Sequence, residues 1–129
     1  MAPEGDAARI LVVDDEPAVA RFVGRLLTLH GYDVDVYVDS CELAERVSDG
    51  TAGGDLLVTD QTMPGLSGVE LVHTVRAVLP TMPVVLFTGY SETVSEEQVN
   101  GWGRSAYLTK PLDSAHLIDT IETLLRDEC

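Results

Sequence analysis

Ile10-Leu11-Val12-Val13-Asp14-Asp15 is the stretch that decides the fold. Its first four residues are apolar and mostly β-branched, the composition of a short strand covered by helices on both faces. Two aspartates stop the run, so an acidic pair stands at the carboxyl end of that strand. Beyond it, from Pro17, the residues Val19, Phe22, Val23, Leu26 and Leu27 recur at helical spacing, and Gly31 supplies a stop signal just past the last turn. A buried strand followed by a helix with one apolar face is a βα unit, and the rest of the chain repeats it.

Residues 34–38 read as a second strand, and Asp39-Ser40-Cys41-Glu42 offers a capping box for a helix reaching about Val47. After a glycine-rich loop at 50–54, residues 56–59 form a third strand. Ser67-Gly68-Val69-Glu70 is another capping box, for a helix through Val72 and Val75 that ends before Pro80. Residues 84–88 make the fourth strand. Ser95-Glu96-Glu97-Gln98 opens a fourth helix, which Gly101 and Gly103 weaken, since glycine inside a helix costs about 1 kcal/mol relative to alanine. Residues 106–109 are the fifth strand, and Leu117, Ile118, Ile121, Leu124 and Leu125 stripe a closing helix. Strands alternating with helices imply an α/β fold with a parallel sheet covered on both faces, because parallel neighbours need right-handed crossovers. Residues 1–8 are small or polar and read as a disordered tail, which leaves 9–127 as a single domain.

The chain has 129 residues, 45% of them hydrophobic, enough for one core and too few for two. With 22 acidic against 8 basic residues the formal charge is -14, so nucleic acid and anionic membrane surfaces are expected to repel it. The first residues lack the basic flank and apolar run of a signal peptide, and no apolar stretch is long enough to span a bilayer, so a cytoplasmic location is expected. Cys41 and Cys129 are the only cysteines, with no CxxC and no histidine at ligand spacing, which argues against a disulfide framework and a zinc site.

In doubly wound sheets the chemistry collects at the carboxyl ends of the strands, near the point where strand order reverses. Asp14 and Asp15 end the first strand, Asp60 the third, Thr88 the fourth and Lys110 the fifth. For strand order 2-1-3-4-5 the reversal falls between strands one and three, which brings Asp14, Asp15 and Asp60 face to face. Converging carboxylates repel unless a cation sits among them, and Mg²⁺ is a hard ion that takes one or two carboxylates together with waters and a phosphate oxygen. A carboxylate is also a nucleophile toward phosphorus. Asp60, alone at its strand end, suits that role, with Lys110 and Thr88 placed to meet the phosphoryl oxygens. Gly89 has no side chain to obstruct the approach.

Leu11-Val12-Val13-Asp14-Asp15-Glu16, Asp60-Gln61-Thr62-Met63-Pro64-Gly65-Leu66-Ser67-Gly68, Thr88-Gly89-Tyr90 and Tyr107-Leu108-Thr109-Lys110-Pro111 together resemble the receiver domain of bacterial two-component response regulators, over about residues 9–125. The resemblance implies a flavodoxin-like (βα)5 fold and a phosphorelay role in which Asp60 takes a phosphoryl group from a phosphohistidine of a sensor histidine kinase or histidine phosphotransfer protein. It implies Asp14, Asp15, Asp60 and the backbone carbonyl of Thr62 as the Mg²⁺ ligands, and a cis peptide before Pro111. It further implies Thr88 and Tyr107 as the switch pair, and a downstream protein partner on the face of the fourth helix, fifth strand and closing helix. Such a domain is not a stand-alone turnover enzyme. The Thr88-Gly89-Tyr90-Ser91 segment and the run from Tyr107 to Asp113 look most like receivers attached to hybrid sensor kinases. Gln61 and Thr62 follow the expected acceptor, and the resemblance implies that side chains near the phosphate set how long it survives.

Blander readings stand beside these. An Asp-Asp pair after a strand is often only a solvated turn, Lys110-Pro111 only a turn, and Tyr107 only a half-buried strand aromatic. Trp102, between two glycines, reads as a plug at the edge of the core. His30, His73 and His116 fall on separate helices and read as surface or helix-end residues. A receiver without phosphorylation, binding a partner through the same face, is the alternative function. A haloacid-dehalogenase-like phosphohydrolase would need an aspartate where Thr62 stands.

Overall fold

The computed structural model describes residues 7–89, 99, 101–110 and 113–126. Five strands, β1 (Arg9–Val13), β2 (Asp33–Tyr37), β3 (Leu56–Asp60), β4 (Val84–Thr88) and β5 (Ser105–Thr109), form one parallel sheet in the order β2-β1-β3-β4-β5. Helices α1 (Pro17–Leu29), α2 (Ser40–Ser48), α3 (Gly68–Val78) and α4 (Ser114–Arg126) are the helices described in full. The weak helix expected from Ser95 lies outside the described residues except for the helical, buried Val99. The expected tail and Pro111 also fall outside them, apart from Ala7 and Ala8, and the Ala8 carbonyl already accepts from the Asp33 N–H at 3.0 Å.

Alternation along the strands builds two apolar layers, as the two-residue repeat of a strand requires. Ile10, Val12, Leu56, Val58, Val85 and Phe87 meet α1 and α4 through Val23, Leu27, Leu117 and Ile121. Leu11, Val13, Leu57 and Val84 meet α2 and α3 through Leu43, Val47, Leu71 and Val75. The central strands β3 and β4 are buried at every position, which is why they carry no alternation in sequence. The edge strand β2 is half exposed and carries Asp33 and Asp35, charges that discourage pairing with another chain.

Helix ends follow the sequence with one difference. Gly31, at φ +94°, ends α1 where a side chain would be strained. Ser67 and Glu70 form the full reciprocal capping box of α3, at 3.2 and 2.9 Å. The box expected at α2 is half made: the Asp39 carboxylate accepts from the N–H groups of Cys41 and Glu42, but the Glu42 carboxylate pairs instead with Arg46 one turn on, at 3.4 Å.

Candidate functional site

Parallel register fixes where the strand ends fall. Val13 lies opposite Thr59, Asp60 opposite Phe87 and Thr88 opposite Thr109, so the residues just past β1 and β5 and those ending β3 and β4 share one rim. On that rim Asp14, Asp15 and Asp60 each present a carboxylate oxygen within 4.8 Å of the others. The Lys110 ammonium stands 3.0 Å from Asp60 Oδ1, and the backbone N–H of Lys110 donates to the Thr88 carbonyl at 2.9 Å.

Burial sharpens these charges. Asp14 is 6% exposed and Asp60 5%. Removal from water disfavours the charged Asp14 carboxylate, and with Asp60 and Asp15 nearby its pKa rises from 3.8 to about 6, although the Glu16 N–H hydrogen bond and Lys110 oppose the rise. Partial burial pushes the Lys110 ammonium down, but the hydrogen bond and charge of Asp60, with Asp14 and Glu16 behind it, outweigh this and raise its pKa. The donor set is three hard carboxylate oxygens carrying too much negative charge for one cation-free spot, and it fits Mg²⁺. Thr62, in the loop after β3, is exposed.

Thr88 is fully buried, and its hydroxyl oxygen has no hydrogen-bond partner among the described residues. Leu86 and Thr88 share one face of β4, and Tyr107 lies opposite Leu86, so the Tyr107 ring sits on the same side of the sheet as the Thr88 hydroxyl. Tyr107 is half-buried against Leu86 and Val99, in a small cluster with Val69 and Trp102. Trp102 thus packs at the core edge as its position between glycines suggests, and His73 contacts its ring edge-on at 6.2 Å. His30, His73 and His116 are exposed and on separate helices, with His30 Nδ1 at 3.0 Å from the Leu26 carbonyl at the end of α1.

The structure adds a frame that the sequence does not announce. Ser40, at the start of α2, accepts from the Leu66 N–H at 3.1 Å and donates to the Leu66 carbonyl at 2.8 Å, clasping the loop between β3 and α3. The Gln61 side-chain oxygen accepts from the Val69 N–H at 2.9 Å. Gly68 is needed there, since a Cβ would lie 2.5 Å from the Asp60 carbonyl oxygen. These partners are 26 and 8 residues apart in the chain, so no local pattern marks them. Arg76 and Arg104, also missed, bind backbone carbonyls at the opposite rim: Arg76 those of Met82, Trp102, Gly103 and Arg104, and Arg104 that of Thr81.

A family model described as the response regulator receiver domain matches residues 10–122. The response regulator ArlR of Staphylococcus saprophyticus is 31% identical over 118 residues, 92% of this chain and 52% of that protein. Chemotaxis protein CheY of Treponema pallidum is 30% identical over 125 residues, 96% of this chain and 87% of that one. The crystal structure of a response regulator receiver protein from Sinorhizobium medicae superposes with a TM-score of 0.82 at 30% identity, covering 94% of this chain and 96% of its own. The chain spans about half the length of ArlR and of several other curated relatives that it matches.

Proposed function

The chain belongs to the response regulator receiver domain family, and from that premise we propose that residues 9–127 work as the phosphoacceptor switch of a two-component phosphorelay. Asp60 is the acceptor. Its carboxylate oxygen attacks the phosphorus of a phosphohistidine on a sensor kinase or histidine phosphotransfer protein. A P–O bond forms as the P–N bond breaks, and the histidine nitrogen keeps the electron pair. Asp14, Asp15, Asp60 and the Thr62 carbonyl would hold Mg²⁺, which when bound neutralises charge on the phosphoryl oxygens. Lys110, already an ion-pair partner of Asp60, turns its ammonium to a phosphoryl oxygen. Thr88 donates its hydroxyl hydrogen to another, and the space that it vacates admits the Tyr107 ring. The surface around β5 and α4, with the helix expected from Ser95, then changes shape for a protein partner.

On this reading the domain transfers phosphate onto itself and later loses it to water, without turning over as a stand-alone enzyme. Its expected place is the cytoplasm, and no helix among the described residues is long and apolar enough to cross a membrane. The carrying observation is the ammonium of Lys110 at 3.0 Å from an aspartate that shares its rim with two more carboxylates. Incubation with acetyl phosphate and Mg²⁺, read by intact mass, tests it. A phosphate-sized gain in the wild type and none in Asp60→Ala supports the reading. No gain in either leaves the unphosphorylated interaction module in its place.

A further inference from the structure

Every helix start leaves backbone N–H groups that need partners from outside the helix. At α3 that accounting closes in an unusual way. The N–H of Gly68 donates to the Gln61 carbonyl at 2.9 Å, that of Val69 to the Gln61 side-chain oxygen at 2.9 Å, and that of Glu70 to the Ser67 hydroxyl at 3.2 Å. Of these first three donors Gln61, directly after the acceptor, takes two and the Ser67 hydroxyl takes the third. The backbone N–H of Gln61 is also committed, to the Phe87 carbonyl at 3.0 Å.

Beyond Thr62 the chain is held again. Met63 is buried at 8% exposure, and Ser40 clasps Leu66. Thr62 is thus an exposed residue between Gln61, which is tied to the start of α3, and the buried Met63. We propose that Gln61 is a positioning residue of the Mg²⁺ site, whose side-chain oxygen locks the start of α3 to the acceptor strand and so holds the Thr62 backbone in place for the cation. This rests on the receiver reading of the site, in which the Thr62 carbonyl is a ligand.

Isothermal titration of the metal-stripped chain with Mg²⁺ tests the proposal, alongside amide hydrogen exchange at Val69 and melting in EDTA. Gln61→Met keeps the volume and removes the oxygen. It should raise the Mg²⁺ Kd about three- to tenfold and speed exchange at Val69, with a fall in EDTA melting no larger than that of Ser67→Ala, a cap variant that leaves Mg²⁺ binding close to wild type. Gln61→Glu keeps an oxygen within reach and should hold the Val69 amide protected and Mg²⁺ at least as tightly as the wild type. Gln61→Asn, too short to reach, stands in if the methionine variant does not fold. A Kd for Gln61→Met within about twofold of wild type, or Gln61→Glu as impaired as Gln61→Met, overturns the proposal. If the wild type and Asp60→Asn show the same absence of Mg²⁺ heat, the receiver reading itself falls, and this inference with it.

Discussion

Asp14 carries the most informative charge in the molecule. Its pKa in the folded chain is raised to about 6, so the folded state holds the proton more tightly than the unfolded state does. The sign follows: this group's contribution to stability is present at pH near 4 and is lost as the pH rises through about 6, by at most about 3 kcal/mol. Melting of the metal-free protein should therefore fall across that window, and Asp14→Asn should flatten this part of the profile. Mg²⁺ affinity should climb over the same range, because the ligand must be ionised. A flat profile in EDTA, identical in the variant, would contradict the assigned burial of this carboxyl. Asp14, Asp15, Asp60, Thr88 and Lys110 were legible because each interrupts or ends an apolar run, where a polar residue has few local reasons to be. Gln61 and Ser40 were not, since their partners become neighbours only after α2 and α3 pack on the sheet.

The start of α3 is the element on which the site leans. Gly68 sits where any side chain would press on the Asp60 carbonyl at 2.5 Å and on Leu86 Cδ1 at 2.6 Å. Gly68→Ala should cost about 1–3 kcal/mol in denaturant unfolding, as overpacking does, and should weaken Mg²⁺ binding as well, because the displaced carbonyl belongs to Asp60, one of the three clustered carboxylates. Ser67→Ala removes one hydroxyl acceptor from the same turn and should cost about 1 kcal/mol, leaving Mg²⁺ binding close to wild type because Gln61 still holds the two preceding donors. Equal losses of metal affinity in the two variants would show that α3 acts only as a whole. The α2 start teaches a related lesson. Asp39 is recognisable as a cap from sequence, but whether Glu42 reaches back or pairs with Arg46 is a choice between two nearby partners of similar worth.

For the whole molecule, a formal charge of -14 means that salt alone should stabilise the fold by screening. Mg²⁺ should do more: at millimolar concentration it should raise the melting point by several degrees above an NaCl control of matched ionic strength, and Asp60→Asn should lose that excess. Trp102 offers a second readout, as the chain's single tryptophan packs in the same cluster as Tyr107. Its emission should change when Asp60 is phosphorylated, and constancy through full modification would count against a moving Tyr107. The sequence by itself determined the order of strands and helices, the strand ends on which the polar residues fall, and through these the doubly wound sheet. Apolar periodicity and turn residues are local properties, and parallel crossovers leave few ways to arrange them. Only the tertiary structure decided that Lys110 reaches Asp60, how deeply Asp14 is buried, and that Gln61 spends its oxygen on Val69. Distances and desolvation between groups far apart in the chain are set by how layers pack, and packing is not a property of any one segment.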